Sequence, residues 1–268
     1  MLNNPIVILK QQYQLWLLAL SFFTRIPVTL PETVKPAMLS EASRYFALVG
    51  CFIGLLLVVV FYLTQLFLPL EIAVILTMAC NLLLTGAFHE DGWADVWDGF
   101  GGGWSVEQKL NIMKDSRLGT YGAAALVLVL LLKYQSLLVL ANSAIYIAFV
   151  LLLANTLSRT LATSLIFSMA YVSEDAKSKV KPIANQLSLT SLLVLIFTGL
   201  LVLFLGVFCQ QVSLEQALLL IVFLLITRLL LIIWFNKQLG GYTGDCLGAA
   251  QIGSELVIYL SLIIFNSF

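Results

Sequence analysis

The sequence predicts an all-α protein: a polytopic integral membrane helical bundle with about seven spans plus an N-terminal interfacial helix. Composition is the first reason. Of 268 residues, 61% are hydrophobic and only 10% are charged, and the mean hydropathy is +1.02. A soluble domain carries about 25% charged residues, so these side chains cannot clothe a water-exposed surface of this size. The second reason is a set of seven apolar runs, near 45–68, 72–88, 121–141, 143–170, 188–209, 214–235 and 251–266. Each is close to the roughly 20 residues that cross a bilayer. The third is the connectors: polar segments (24–44, 89–120, 171–187, 236–250) alternate with very short ones (69–71, 142, 210–213). Seven spans then gather all four polar connectors on one side.

Taken in order, the stretch 1–23 is apolar but interrupted by Lys10, Gln11, Gln12 and Gln14, which suits a helix at or partly inserted into the interface. No small-residue cleavage site marks it as a signal peptide. Pro27 ends it within SFFTRIPV, where Arg25 is placed to meet a lipid headgroup or a substrate. The polar connectors hold Arg25, Lys35, Arg44, Lys109, Lys114, Arg117, Lys177, Lys179, Lys181 and Lys237, and the short ones hold no Lys or Arg. By the positive-inside rule the polar side is cytoplasmic.

Three cations sit inside the spans, where charge is costly and marks a functional candidate. Arg159 belongs to the small, polar patch ANTLSRT, which suggests a protein-lined cavity. Arg228 is placed about two turns below the cytoplasmic end, within phosphate reach. Lys133 is expected to snorkel or to pair with Glu71 or Glu215. Cys51, Cys80, Cys209 and Cys246 form no CxxC pair and read as buried thiols rather than disulfide or zinc ligands. Zero formal net charge leaves no bulk attraction to nucleic acid. No linker rich in Pro or Gly divides the chain, so residues 1–268 read as a single membrane-embedded domain.

The chemistry concentrates in the polar connectors. Segment 89–120 opens with HEDGWADVWDGFGGG, which sets Glu90, Asp91, Asp95 and Asp98 within nine residues. If it continues the preceding helix, Asp91, Asp95 and Asp98 share one face at i, i+4 and i+7, and like charges there need a counter-charge. A hard divalent cation such as Mg2+ supplies one and bridges carboxylates to substrate phosphates. The competing reading is a solvated acidic loop. His89, the sole histidine, is either a general base or phosphate donor, or a helix-end residue bonded to a nearby carboxylate.

The same connector closes with MKDSRLGTYG. Lys114 and Arg117 are cationic donors, Asp115 is a further metal-ligand candidate, and Ser116 can donate a hydrogen bond. Gly119 and Gly122 lead into a helix N-terminus, which favours anions. A third cluster, GGYTGDCLGA at 240–249, sets Thr243 and Asp245 among glycines on the same side, with a helix cap as the structural alternative. The catalytic candidates are therefore His89, Asp91, Asp95, Lys114 and Arg117. The substrate- or phosphate-binding candidates are Arg25, Ser116, Gly119, Arg159, Arg228, Thr243 and Asp245. The metal candidates are Asp91, Asp95, Asp98 and Asp115.

Four motifs, SFFTRIPV, GAFHEDGWADVWDG, KLNIMKDSRLGTYG and LGGYTGDCLGAA, stand in the order and spacing of the cobalamin synthase (adenosylcobinamide-GDP ribazoletransferase) family, a resemblance running from residue 21 to about 256. The family pattern H-x-D-G-x-A-D-x-x-D-G maps onto His89, Asp91, Gly92, Ala94, Asp95, Asp98 and Gly99. Glu90 stands where an apolar residue is expected, and Trp93 and Trp97 are bulkier than usual for the family. The resemblance implies a Mg2+-dependent membrane transferase. Such an enzyme joins adenosylcobinamide-GDP to α-ribazole or its 5′-phosphate, releasing GMP and forming adenosylcobalamin or its 5′-phosphate, the last step of nucleotide-loop assembly in cobalamin biosynthesis.

It also implies a multi-pass protein of the bacterial cytoplasmic (inner) membrane with its active face cytoplasmic. The expected partners are the two substrates and the lipid bilayer, with no nucleic acid. A homo-oligomer or association with other corrinoid-assembly enzymes is left open. The acid pattern also resembles that of membrane CDP-alcohol phosphotransferases, an analogy only. The rival reading is a membrane transporter for an anionic or corrinoid solute, suggested by Arg159, Arg228 and the glycine-broken helix ends. Carboxylates gathered at one face rather than at the midplane argue against it.

Overall fold

The computed structural model describes residues 5–30, 34–142, 144–172 and 186–267; Lys177, Lys179 and Lys181 lie outside the described residues. The helices in order are α1 (Pro5–Phe23), α2 (Pro36–Ala42), α3 (Phe46–Gln65), α4 (Leu70–Thr85), α5 (Phe88–Gly102) and α6 (Val106–Lys114). They continue with α7 (Thr120–Leu140), α8 (Ala144–Ser168), α9 (Leu189–Phe208), α10 (Leu214–Leu239) and α11 (Gly244–Ser267). Among the described residues there is no strand, only an isolated bridge between Tyr171 and Tyr242.

Seven helical stretches are long and apolar enough to cross a membrane: α1, the continuous run Ala37–Gln65, α7, α8, α9, α10 and α11. The 19-residue α1, expected to be interfacial, is therefore long and apolar enough to cross. At 16 residues α4 qualifies only together with α5, from which it is bent by 86°. The polar connectors are not all loop, since α2 forms within 24–44 and α5 and α6 within 89–120. Polar capping explains the starts: Ser105 with Gln108 and Ser213 with Gln216 form capping boxes at α6 and α10.

The centre of the bundle is α3, α8 and α11. Gly50 and Gly54 let α3 lie directly against α8; a Cβ at Gly54 would stand 2.8 Å from the Leu152 Cα. In lipid, where no hydrophobic force draws helices together, such close backbone approach supplies the packing energy. By contrast α10 presents Leu218, Leu225 and Leu229 outward.

One ion pair lies inside the bundle. Lys133 Nζ lies 2.9 Å from Glu255 Oε1, and the Tyr259 hydroxyl donates to the same oxygen at 2.6 Å. This corrects the expected partners Glu71 and Glu215. Lys133 points inward to α11 rather than along α7 to the opposite surface, because both charges lose less by meeting in the interior than by staying unpaired there.

Candidate active site

The site forms where α5, the α6–α7 connector and the start of α11 converge. It begins with a break. Gly86 closes α4 in the left-handed region (φ 66°), donating its N–H to Leu82, and Ala87 follows at φ 55°. These two residues swing α5 through 86°, so the acidic segment is a separate helix rather than an extension of α4.

Along α5 the i, i+4, i+7 spacing holds, but the three carboxylates meet different surroundings. Asp91 is exposed and Asp95 half-buried, and both line one cavity. Asp98 is buried and turned to α7, where its Oδ2 accepts from the Gly119 N–H (2.7 Å) and its Oδ1 from the Gly122 N–H (2.8 Å). It caps the N-terminus of α7 from a neighbouring helix, satisfying amides that the helix cannot pair itself and meeting the positive end of its dipole. A Cβ at Gly119 or Gly122 would collide with that carboxylate.

The close crossing of α5 and α11, where a Cβ on Gly92 would stand 3.0 Å from the Asp245 Cα, brings Asp245 beside the pair. Thr243 prepares this end of α11. Its hydroxyl accepts from the Cys246 N–H (3.3 Å) and reaches Asp245 Oδ2 at 3.4 Å. Mutual hydrogen bonds between the Tyr242 and Ala170–Val172 backbones pin the loop to the end of α8.

Burial first, then the charges of Asp245, Asp91 and Asp98, push the Asp95 carboxyl up to about 7. The acids therefore repel one another and call for a counter-charge. Among the described residues, no three His, Cys, Asp or Glu side chains stand close enough to form a metal cage by themselves. A hard cation held by one or two carboxylates and completed by substrate phosphate oxygens fits this donor set.

The opposite wall of the cavity, about 580 Å³ in volume, is the α6–α7 connector with Lys114, Asp115, Ser116 and Arg117. The Arg117 guanidinium donates to Asp115 (Nη2 to Oδ2, 2.6 Å) and holds that carboxyl down to about 2. Arg25 reaches the rim. Its backbone N–H donates to Leu84 (2.8 Å), and its guanidinium packs on Gly86.

Three candidates lie away from this cavity. His89 is buried on the far face of α5 and stacks on Phe23 at 5.4 Å. Arg159 is buried in α8, where its Nη1 donates to the Asn155 carbonyl (3.1 Å) and side-chain oxygen (3.0 Å). Arg228 donates to Ser164 Oγ (2.8 Å) and lines an apolar groove among α8, α9 and α10.

Two residues gain roles that sequence reasoning missed. Glu255 holds Lys133, and its signal was available, an acid breaking an apolar run. Lys109, read only as topology charge, donates to Gln238 Oε1 (2.6 Å) and ties α6 to α10.

The sequence profile of the cobalamin-5-phosphate synthase family matches residues 15–263. An adenosylcobinamide-GDP ribazoletransferase of Shewanella piezotolerans is 52% identical over 261 residues, covering 96% of this chain and 98% of the relative. The same-named protein of Vibrio parahaemolyticus is 48% identical, covering 96% of this chain and 94% of its own. No solved structure matches the chain.

Proposed function

Because the chain belongs to the cobalamin-5-phosphate synthase family, we propose that it transfers the cobinamide phosphate moiety of adenosylcobinamide-GDP to α-ribazole or its 5′-phosphate at the cytoplasmic face of a bacterial inner membrane. The observation that carries this reading is one cavity walled by Asp91 and Asp95 on one side and by Lys114, Ser116 and Arg117 on the other. Acids facing cations across a solvent-reached cavity are what a diphosphate substrate needs: a place for its counter-ion and donors for its oxygens.

The ribazole 3′-hydroxyl attacks the phosphorus nearest cobinamide. The new P–O bond forms as the bond to the bridging oxygen breaks, GMP leaves with that oxygen, and the hydroxyl proton passes to a cavity carboxylate. Lys114 and Arg117 offset the charge growing on the phosphoryl oxygens. Asp91 and Asp95, with Asp245 beside them, are the side chains that would hold Mg2+, which when bound neutralises the diphosphate. Asp98 and Asp115 are engaged elsewhere, on the α7 amides and on Arg117.

The test is GMP release from adenosylcobinamide-GDP and α-ribazole by the purified chain in liposomes, with and without Mg2+. Turnover that needs both substrates supports the reading. Solute flux across the vesicle with no GMP formed would overturn it in favour of transport.

A further inference from the structure

On the bundle side of α5, away from the carboxylate cavity, a much smaller cavity of about 60 Å³ lies among α1, α3, α5, α8 and α11. Its walls include Phe23, Phe46, His89, Arg159, Thr163 and Gln251. Among the described residues, four buried polar atoms in this neighbourhood have no hydrogen-bond partner: His89 Nε2, Glu90 Oε2, Arg159 Nε and Gln251 Oε1. His89, Arg159 and Gln251 line the cavity, whereas Glu90, whose charge acts on Arg159, lines the carboxylate cavity. The four residues are only 4, 6, 2 and 3% exposed, respectively.

Folded interiors leave few such atoms unmatched, because each forfeits its hydration without recompense. Here the set is complementary. Among the residues that line the chamber, the Arg159 Nε–H is an obligate donor, the Gln251 carbonyl oxygen is an acceptor, and His89 Nε2 is one or the other by tautomer. At Arg159 and Gln251, existing hydrogen bonds hold the side chains as they are. Arg159 Nη1 is already held by Asn155, and Gln251 Nε2 is held by Ser158 Oγ (3.0 Å) and Glu255 Oε2 (3.2 Å), so the Gln251 oxygen must face away from that acid. An interior water occupies roughly 30 Å³ and takes two to four polar partners. The cavity has the volume for it, three of the unmatched atoms belong to side chains that line it, and it is too small for a substrate.

We propose that this chamber is a structural water site, in which about one or two ordered waters join Arg159 of α8 to His89 of α5 and to Gln251 of α11. Arg159, which the sequence offers as a phosphate ligand, then has its partners inside the bundle rather than on a nucleotide. The waters complete a polar layer that continues through Gln251 to Glu255 and Lys133.

The test is X-ray hydroxyl-radical footprinting of the full-length protein in nanodiscs, read by mass spectrometry. Waters held in place generate radicals where they sit. Phe23 and Phe46, which wall the chamber and are 7 and 4% exposed, are expected to oxidise several-fold faster than Phe149, which is 8% exposed but not beside it. Equal, low rates at all three would overturn the proposal. Ala162 also lines the chamber, and Ala162→Leu, which fills it, gives a second reading. With water displaced and three polar atoms stranded, the thermal-unfolding midpoint falls and the excess labelling of Phe23 disappears. A raised midpoint, as expected when a dry cavity is filled, would overturn the proposal independently.

Discussion

Asp91 and Asp98 are the same side chain on the same helix, yet the fold gives them opposite tasks. Asp91 faces the open cavity and, among the described residues, accepts no amide N–H, so its charge is available to a cation or a substrate. Asp98 is closed off by two N–H donors of α7. Asp91→Asn is therefore expected to insert normally, keep its unfolding midpoint in detergent, and lose roughly 10²-fold or more in GMP release. Near-normal turnover in an inserted Asp91→Asn protein would remove it from the mechanism. Asp98→Ala is expected to do the reverse, costing about 1–2 kcal/mol of stability through the lost cap, with turnover falling only as α7 loosens. Thermal unfolding beside an activity assay separates the two. The sequence shows that three carboxylates share a face, but nothing local shows that one answers amides 21 and 24 residues away. The Lys133 partner was hidden for the same reason: pairing inside a bundle depends on which spans are neighbours, and hydropathy carries no neighbour information.

At the scale of elements, the apolar runs were legible because length and composition alone decide them, and α7, α9 and the start of α10 fall within a residue or two of the predicted bounds. What was not legible was the break between α4 and α5. Gly86 announces itself as permissive, but Ala87 in the left-handed region gives no sequence signal, and the 86° turn depends on both. The last span was also set too late. It begins at Gly244, so Asp245 lies in its first turn rather than in a loop. The bend is what aims α5 across the end of the bundle toward Lys114 and Arg117. Gly86→Ala tests this: positive φ costs an alanine about 1 kcal/mol, and its Cβ would meet the Arg25 guanidinium. The expected result is a modest fall in unfolding midpoint with a larger fall in kcat than in apparent substrate affinity. Unchanged kcat would show that the cavity tolerates a shifted α5.

At the scale of the whole molecule, the alternation of polar and short connectors requires α4 to return the chain across the membrane between α3 and α7. Its 16 residues reach about 24 Å at 1.5 Å per residue, short of the roughly 30 Å hydrocarbon core. A short span of this kind is accommodated by local thinning. If α4 crosses, the cavity and the start of α9 share one face, and the α9–α10 turn lies on the other. The protein carries its own reporter for that turn, because Cys209 at the end of α9 is exposed while Cys51, Cys80 and Cys246 are half-buried or buried. Ser116→Cys adds a reporter at the cavity. A membrane-impermeant maleimide is expected to label Ser116→Cys in everted inner-membrane vesicles and Cys209 in spheroplasts, with little crossover. Labelling of both from the same side would mean that α4 does not cross. The positive-inside bias and the acidic cavity would then no longer belong to a single cytoplasmic face.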